Sequence, residues 1–207
     1  TSGPTRDPFG SEKTDSEKTR ASLGYKLSRQ ARGMGGEVML VSGPTEQIPP
    51  SGVGVVWVRT IEELDDFLMR EAKNFDLILL TGSAEDWNPN MSSGFIREEK
   101  TKKLDLDIPD APDLARKVGR QKDKGQVLIE FFSGRKKGQD IPIDRLVEND
   151  IDGLFSALTG DQTSEGENNL MGGKMLFMSG DSLEFQLQNK SRLSRSILKE
   201  IGKKYFS

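Results

Sequence analysis

Lys100, Lys102 and Lys103 follow a polar loop opened by Asp86 and Trp87, and residues of these types can do chemistry. Three ammonium groups can neutralise charge that builds on phosphate or carboxylate oxygens, and a carboxylate can accept hydrogen bonds from a base or sugar. The same residues also read as a solvated patch and a turn cap, and spacing alone does not separate the readings. The chain contains no cysteine and no histidine. That excludes disulfides, thiolate zinc sites, thiol nucleophiles and every histidine-dependent triad. Carboxylates, lysines, hydroxyls, backbone amides and a bound metal remain.

A second candidate lies near the amino end. In "GPTRDPFGSEKTDSEKTRASLG" (3–24) a Gly-Pro turn carries Thr5 and Arg6 where a first strand would hand over to a helix, the place at which free amides meet phosphate. It is not a G-x-G-x-x-G motif, and a plain structural turn explains it equally well. "LVSGPTEQIPP" (40–50) reads more readily as a rigid loop than as a ligand contact. The Phe131–Phe132 pair reads more readily as core than as a platform for a base.

The elements that must position these residues follow from the apolar pattern. "EVMLVSG" (37–43), "GVVWVRT" (54–60), "FDLILLTG" (75–82) and "QVLIEFFSG" (126–134) are short, nearly continuous apolar runs, as expected of strands buried on both faces of a parallel sheet. Between them, Leu23, Leu27, Ala31 and Met34 recur at helical spacing from Lys18 to Met34, and Ile61, Leu64 and Leu68 do so from Ile61 to Lys73. Thr60 followed by Glu63 is a capping-box signature for the second helix. Strand and helix in alternation predict an α/β fold, a Rossmann-like, doubly wound and mainly parallel sheet. "KMLFMSGDSLEFQL" (174–187) adds an antiparallel hairpin, and the tail from Asn189 an amphipathic helix bearing Leu193, Ile197, Ile201 and Tyr205. Segments 85–103 and 159–173 read as long loops.

With 207 residues the chain is expected to form one domain, 1–207, and its opening on Thr1 is read as lacking most of a first strand. Its 30 basic and 33 acidic residues give a net charge of -3 without a block of like charge, so neither nucleic acid nor a membrane is expected as a partner. Without a membrane span or an apolar signal core, a cytoplasmic location is expected.

The order of the motifs is more specific than any one of them. "SGPTRDP", "GGEVMLVSGPTEQIPP", the T-x-E-E-L helix start, "AEDWNP", "KTKK", "APDLA", the strand ending at Phe131, "ENDI" and "ENN" together resemble phosphopantothenoylcysteine synthetase, over nearly the whole chain. The resemblance implies a Rossmann-like, usually dimeric ligase of coenzyme A biosynthesis. Its members use CTP or ATP, with Mg2+, to activate 4'-phosphopantothenate as an acyl-nucleotide that cysteine then captures. Carried over, Lys100 matches the first lysine of the catalytic Lys-x-Lys-Lys, followed by Lys102 and Lys103. Asp86 matches an aspartate on the base or sugar, with Trp87 where the family has Tyr. Asp113 and Leu114 match the nucleotide loop, Phe131 a phenylalanine near the base, and Asn149 and Asp150 an Ala-Asn-Asp motif. Gly82 ends the strand over which the nucleotide is expected, and Thr5 and Arg6 are expected to contact phosphate.

The departures fall in two places. Where the family has Asn-x-Ser-Ser-Gly-Lys, this chain reads "EKTRAS", with Glu17 at the Asn, Ala21 at the Gly and Ser22 at the Lys. A carboxylate facing a phosphate is repulsive by on the order of a kcal/mol or more unless a cation intervenes. After Phe131 the family's Ala-Ala-Glu-Thr is replaced by "FSGRKKGQDIP", in which Arg135, Lys136 and Lys137 are candidate substitutes. A catalytically impaired nucleotide-binding or assembly module of the same fold is therefore the alternative function.

Overall fold

The computed structural model describes residues 15–82, 113–133, 143–159 and 170–207, with side chains for 22–82, 113–131, 143–157 and 170–207. Helix α1 (Asp15–Gly33) begins ahead of Lys18, so Glu17, Ala21 and Ser22 all sit on helical backbone. Leu23 and Leu27 are buried as their spacing predicts, whereas Met34 falls past the helix end and is 48% exposed. Strands β1 (Met39–Ser42) and β2 (Gly54–Trp57) pair in parallel. Helix α2 (Ile61–Glu71) starts at Thr60, whose hydroxyl accepts from the Glu63 amide at 3.2 Å, and buries Ile61, Leu64 and Leu68. The Glu63 carboxylate reaches back to the Arg59 amide at 2.6 Å, so the capping box closes on the residue before the cap.

A larger sheet is built from β3 (Leu77–Leu80), β4 (Val127–Ser133), β5 (Gly153–Thr159), β6 (Leu170–Phe177) and β7 (Ser182–Asn189), hydrogen-bonded in that order. The first two pairings are parallel and the last two antiparallel. Helices α3 (Leu114–Gln121) and α4 (Ile143–Glu148) precede β4 and β5, and α5 (Lys190–Tyr205) follows β7.

Because side chains alternate along a strand, each strand feeds two cores. Ile78, Leu80, Leu128 and Leu154 pack with α2, α3 and α4 on one face. Val127, Ile129, Phe131 and Phe155 pack with Leu23 and Leu27 of α1 and Leu193, Ile197 and Ile201 of α5 on the other. Helices on both faces of a mixed sheet, parallel from β3 to β5 and antiparallel from β5 to β7, match the α/β fold with an antiparallel extension that was expected, although the larger sheet is parallel in only half of its pairings.

Three details differ from expectation. Strand β5 lies in a segment not read as a strand, and residues 170–173 belong to β6 rather than to a loop. The Gly-Gly pair there serves close packing: a Cβ on Gly173 would stand 2.4 Å from the Ser156 carbonyl oxygen, and one on Gly172 would stand 2.6 Å from that of Phe185. The pairing with β7 also shifts register between Met171 and Gly173. Finally, among the described residues β1 and β2 pair only with each other.

Candidate active site

The described part of the site gathers at the end of β3. Leu80 pairs with Glu130 of β4, which places the Glu130 carboxylate level with the strand end, just short of buried Thr81 and of Gly82. A carboxylate in a core strand must be compensated, and Arg145 of α4 does so with a two-pronged contact. Its Nε donates to Oε2 and its Nη2 to Oε1, both at 2.7 Å. The same guanidinium reaches both Asp113 oxygens at 3.4 Å.

Asp113 is the N-cap of α3: Oδ1 accepts from the Arg116 amide at 3.1 Å, and Oδ2 accepts from Asn149 Nδ2 at 3.2 Å. Its carboxylate is thus taken up in fixing where α3 begins and in tying that helix to α4 and β4. Asn149 is buried, and its carbonyl oxygen lies against Gly119, where a Cβ would approach to 1.9 Å. Only glycine admits that approach, and Asp150 then turns the chain into β5 with φ 52°.

Leu114 and Phe131 go to opposite cores. Leu114 packs among α2 and α3, whereas the Phe131 ring, 5% exposed, sits 5.2 Å from the Phe155 ring on the α1 and α5 side. Thr5, Arg6, Asp86, Lys100, Lys102, Lys103, Arg135, Lys136 and Lys137 lie outside the described residues, as do the side chains of Glu17 and Ala21.

Ser22, where the resemblance leads one to expect a lysine, is met by a lysine from elsewhere in the chain. Lys190, at the start of α5 and 4% exposed, donates to Ser22 Oγ at 3.3 Å. Burial, and then the nearby charge of Lys26, hold the Lys190 ammonium below the usual lysine pKa.

Sequence reasoning missed Glu130, Arg145 and Lys190. For Glu130 the signal was present, a lone carboxylate inside the apolar run "QVLIEFF", which implies a cationic partner without saying which. Among the described residues no group of three or more acidic side chains is placed to hold a metal ion, and none of the helices is long and apolar enough to cross a membrane.

The fold and this cluster define a doubly wound α/β domain whose polar contacts collect at a strand's carboxyl end, where ligands of such sheets bind. Solved structures share the fold. The C-terminal domain of a coenzyme A biosynthesis bifunctional protein CoaBC superposes with a TM-score of 0.73 at 23% identity, over 98% of this chain and 93% of that one. The DNA/pantothenate metabolism flavoprotein from Streptococcus pneumoniae does so with a TM-score of 0.65 at 13% identity, over 98% and 96%. The sequence profile of the DNA/pantothenate metabolism flavoprotein C-terminal domain matches residues 1–205, and the chain belongs to that family. Its relatives include the coenzyme A biosynthesis bifunctional protein CoaBC of Vibrio vulnificus (strain CMCP6), 25% identical over 215 residues, covering 97% of this chain and 50% of the relative. The protein of the same name from Bacillus subtilis (strain 168) is 25% identical over 215 residues, covering 98% and 50%. The chain spans about half the length of these curated relatives.

Proposed function

We propose that this chain joins 4'-phosphopantothenate to cysteine in coenzyme A biosynthesis, using CTP or ATP. The observation that carries this reading is the family match across 1–205, in a chain whose ordered motifs run from the Gly-Pro-Thr-Arg turn to the Pro-Asp-Leu of α3. In the first step a carboxylate oxygen of 4'-phosphopantothenate attacks the α-phosphorus, the bond to pyrophosphate breaks, and an acyl-nucleotide forms. In the second the cysteine amine attacks the acyl carbon, the nucleoside monophosphate leaves, and the amine proton passes to solvent. Neither step needs a thiol or an imidazole from the protein, in keeping with a chain that has none.

Lys100 is the proposed catalytic residue, stabilising charge on the transferring phosphoryl oxygens, with Thr5, Arg6, Lys102 and Lys103 on the remaining phosphates. Gly82, Asp86, Asp113, Leu114 and Phe131 are the proposed nucleotide-binding residues. Gly82 permits close approach at the strand end, Asp113 fixes the start of α3, and Leu114 and Phe131 support the floor from the two cores. Asp113 and Glu130 are both engaged by Arg145, so Mg2+ would be carried chiefly by the triphosphate rather than by a protein cage. When bound it neutralises phosphate charge. A cytoplasmic homodimer is the form we propose for the working protein.

The second reading, an impaired relative that binds nucleotide or serves in assembly, is favoured by one observation. Ser22 stands where the family has lysine and is occupied by Lys190. Both readings require nucleotide binding, and calorimetry with CTP, ATP and their magnesium complexes tests it. A saturable heat is expected with at least one of them. Neither heat nor a thermal shift with any of the four at millimolar concentration would contradict both.

A further inference from the structure

Strand β7 and helix α5 bring the chain back to the ligand-binding end of the sheet. β6 runs antiparallel to β5 with Met171 opposite Thr159, and β7 antiparallel to β6 with Asn189 opposite Leu170. Asn189 and Lys190 therefore stand level with the carboxyl end of β5, the end at which ligands of such sheets bind. There Asn189 Oδ1 accepts from the Ser191 amide at 2.8 Å and Ser194 Oγ donates to the Lys190 carbonyl at 2.7 Å, so the backbone of Lys190 is held by the first turn of α5. Gln30 Nε2 of α1 donates to Ser191 Oγ at 3.3 Å and clasps the two helices beside it.

The ammonium at this place is under-compensated. A buried charge needs an opposite charge and hydrogen bonds for all its protons. Lys190 is 4% exposed and has three protons to donate, yet among the described residues its partner is the Ser22 hydroxyl at 3.3 Å. The charge that acts on it there is that of Lys26, of the same sign. A lysine buried for structure alone is expected opposite a carboxylate, as Lys122 is opposite Asp152 at 2.7 Å. Ser22 is half-buried, so an anion that shares or displaces its hydroxyl reaches the ammonium.

We propose that Lys190 binds a phosphate group of the substrates, bringing from α5 the ammonium that the resemblance leads one to expect at position 22. The inference rests on the nucleotide-binding reading shared by both functions above. With the anion in place the buried charge gains its counter-charge, and its remaining protons find acceptor oxygens. Lys26 adds attraction of the same sign toward the anion. The phosphate belongs either to the nucleotide or to 4'-phosphopantothenate, and the two are separated by titrating each alone.

Lys190→Met keeps an unbranched stem and removes the charge. Calorimetry of wild type and variant is run with the magnesium complexes of CTP and ATP, and separately with 4'-phosphopantothenate. Affinity for the ligand that carries the phosphate is expected to fall by roughly tenfold or more, as one charge-assisted contact is lost, while the variant without ligand melts at or above the wild-type midpoint. Loss of binding without loss of stability is not what a purely structural lysine gives. Unchanged affinity for all three ligands overturns the proposal and leaves the nucleotide reading standing. Should the variant bind less and also melt lower, Ser22→Lys in the same chain decides: recovered affinity supports the phosphate contact, and none overturns it. A wild type that binds none of the three contradicts the nucleotide reading, and inorganic pyrophosphate then decides for Lys190. A thermal shift in the wild type that Lys190→Met abolishes supports the contact, and equal or absent shifts overturn it.

Discussion

Arg145 links three elements through two carboxylates, and it was not visible as a site residue in the sequence. Its weight lies in the pairing with Glu130, whose side chain is 11% exposed against 33% for the arginine. Removing the arginine strands a largely buried carboxylate. Arg145→Met should therefore destabilise the fold by about 1–3 kcal/mol, discounted from a fully buried pair by the exposure of the arginine. Glu130→Met in the same chain should recover most of that loss, and urea titration of both single variants and the double checks it. An additive double variant would show that the two charges are not coupled. Tyr205 offers a pH test. Its hydroxyl donates to the Asp152 carbonyl at 3.0 Å, and burial, then the charges of Asp152 and Asp181, push its pKa up to about 12 from an ordinary 10.0. The unfolded chain ionises first, so the stability Tyr205 contributes is complete below pH 10 and is lost as pH rises toward 12. Tyr205→Phe should cost about 1 kcal/mol at neutral pH, and its gap to the wild type should close across that window in thermal melts. A gap that stays constant to pH 12 would rule out the shift.

At the scale of elements, much of the fold was legible because the physics was local. The apolar runs around β1 to β4, the Thr60 cap of α2 and the Leu193, Ile197 and Ile201 stripe of α5 all fall where period and capping predict. What escaped depended on neighbours. The run "GLFSALT" of β5 mixes Gly, Ser and Ala with only a few large apolar residues, and its place is set by pairing on both sides, with β4 and β6. The Gly172–Gly173 pair looked like loop because its reason lies on other strands, in the Phe185 and Ser156 backbones. The site was legible in part: the order of its motifs could be read, but not the Arg145 contacts that tie Asp113 to the sheet, nor the approach of Lys190 to Ser22. Gly173→Ala tests the close packing directly. The added methyl must displace backbone and the Phe155 ring, so it should destabilise by about 1–3 kcal/mol in denaturant titration. No loss relative to Gly180→Ala, which meets nothing within 4 Å but carries φ 89°, would mean that β6 does not approach β5 as closely as described.

For the molecule as a whole, β7 is the outer strand of the larger sheet among the described residues, and Leu187 on it is 55% exposed. Exposed edges of this kind are usually covered, and a second copy of the chain is the cover we propose. Light scattering should give twice the 23.0 kDa chain mass, and a mass that stays at one chain at high concentration would contradict this. The central proposal, that the domain activates a carboxylate with a nucleotide and passes the acyl group to an amine, is tested most directly by pyrophosphate release. The assay contains the chain, Mg2+, CTP or ATP, 4'-phosphopantothenate and cysteine. Release that depends on 4'-phosphopantothenate is expected, falling by roughly ten- to a thousandfold in Lys100→Ala as one electrostatic stabiliser of the transition state is lost. No release with either nucleotide, or release that Lys100→Ala leaves unchanged, would contradict the ligase with Lys100 at its centre.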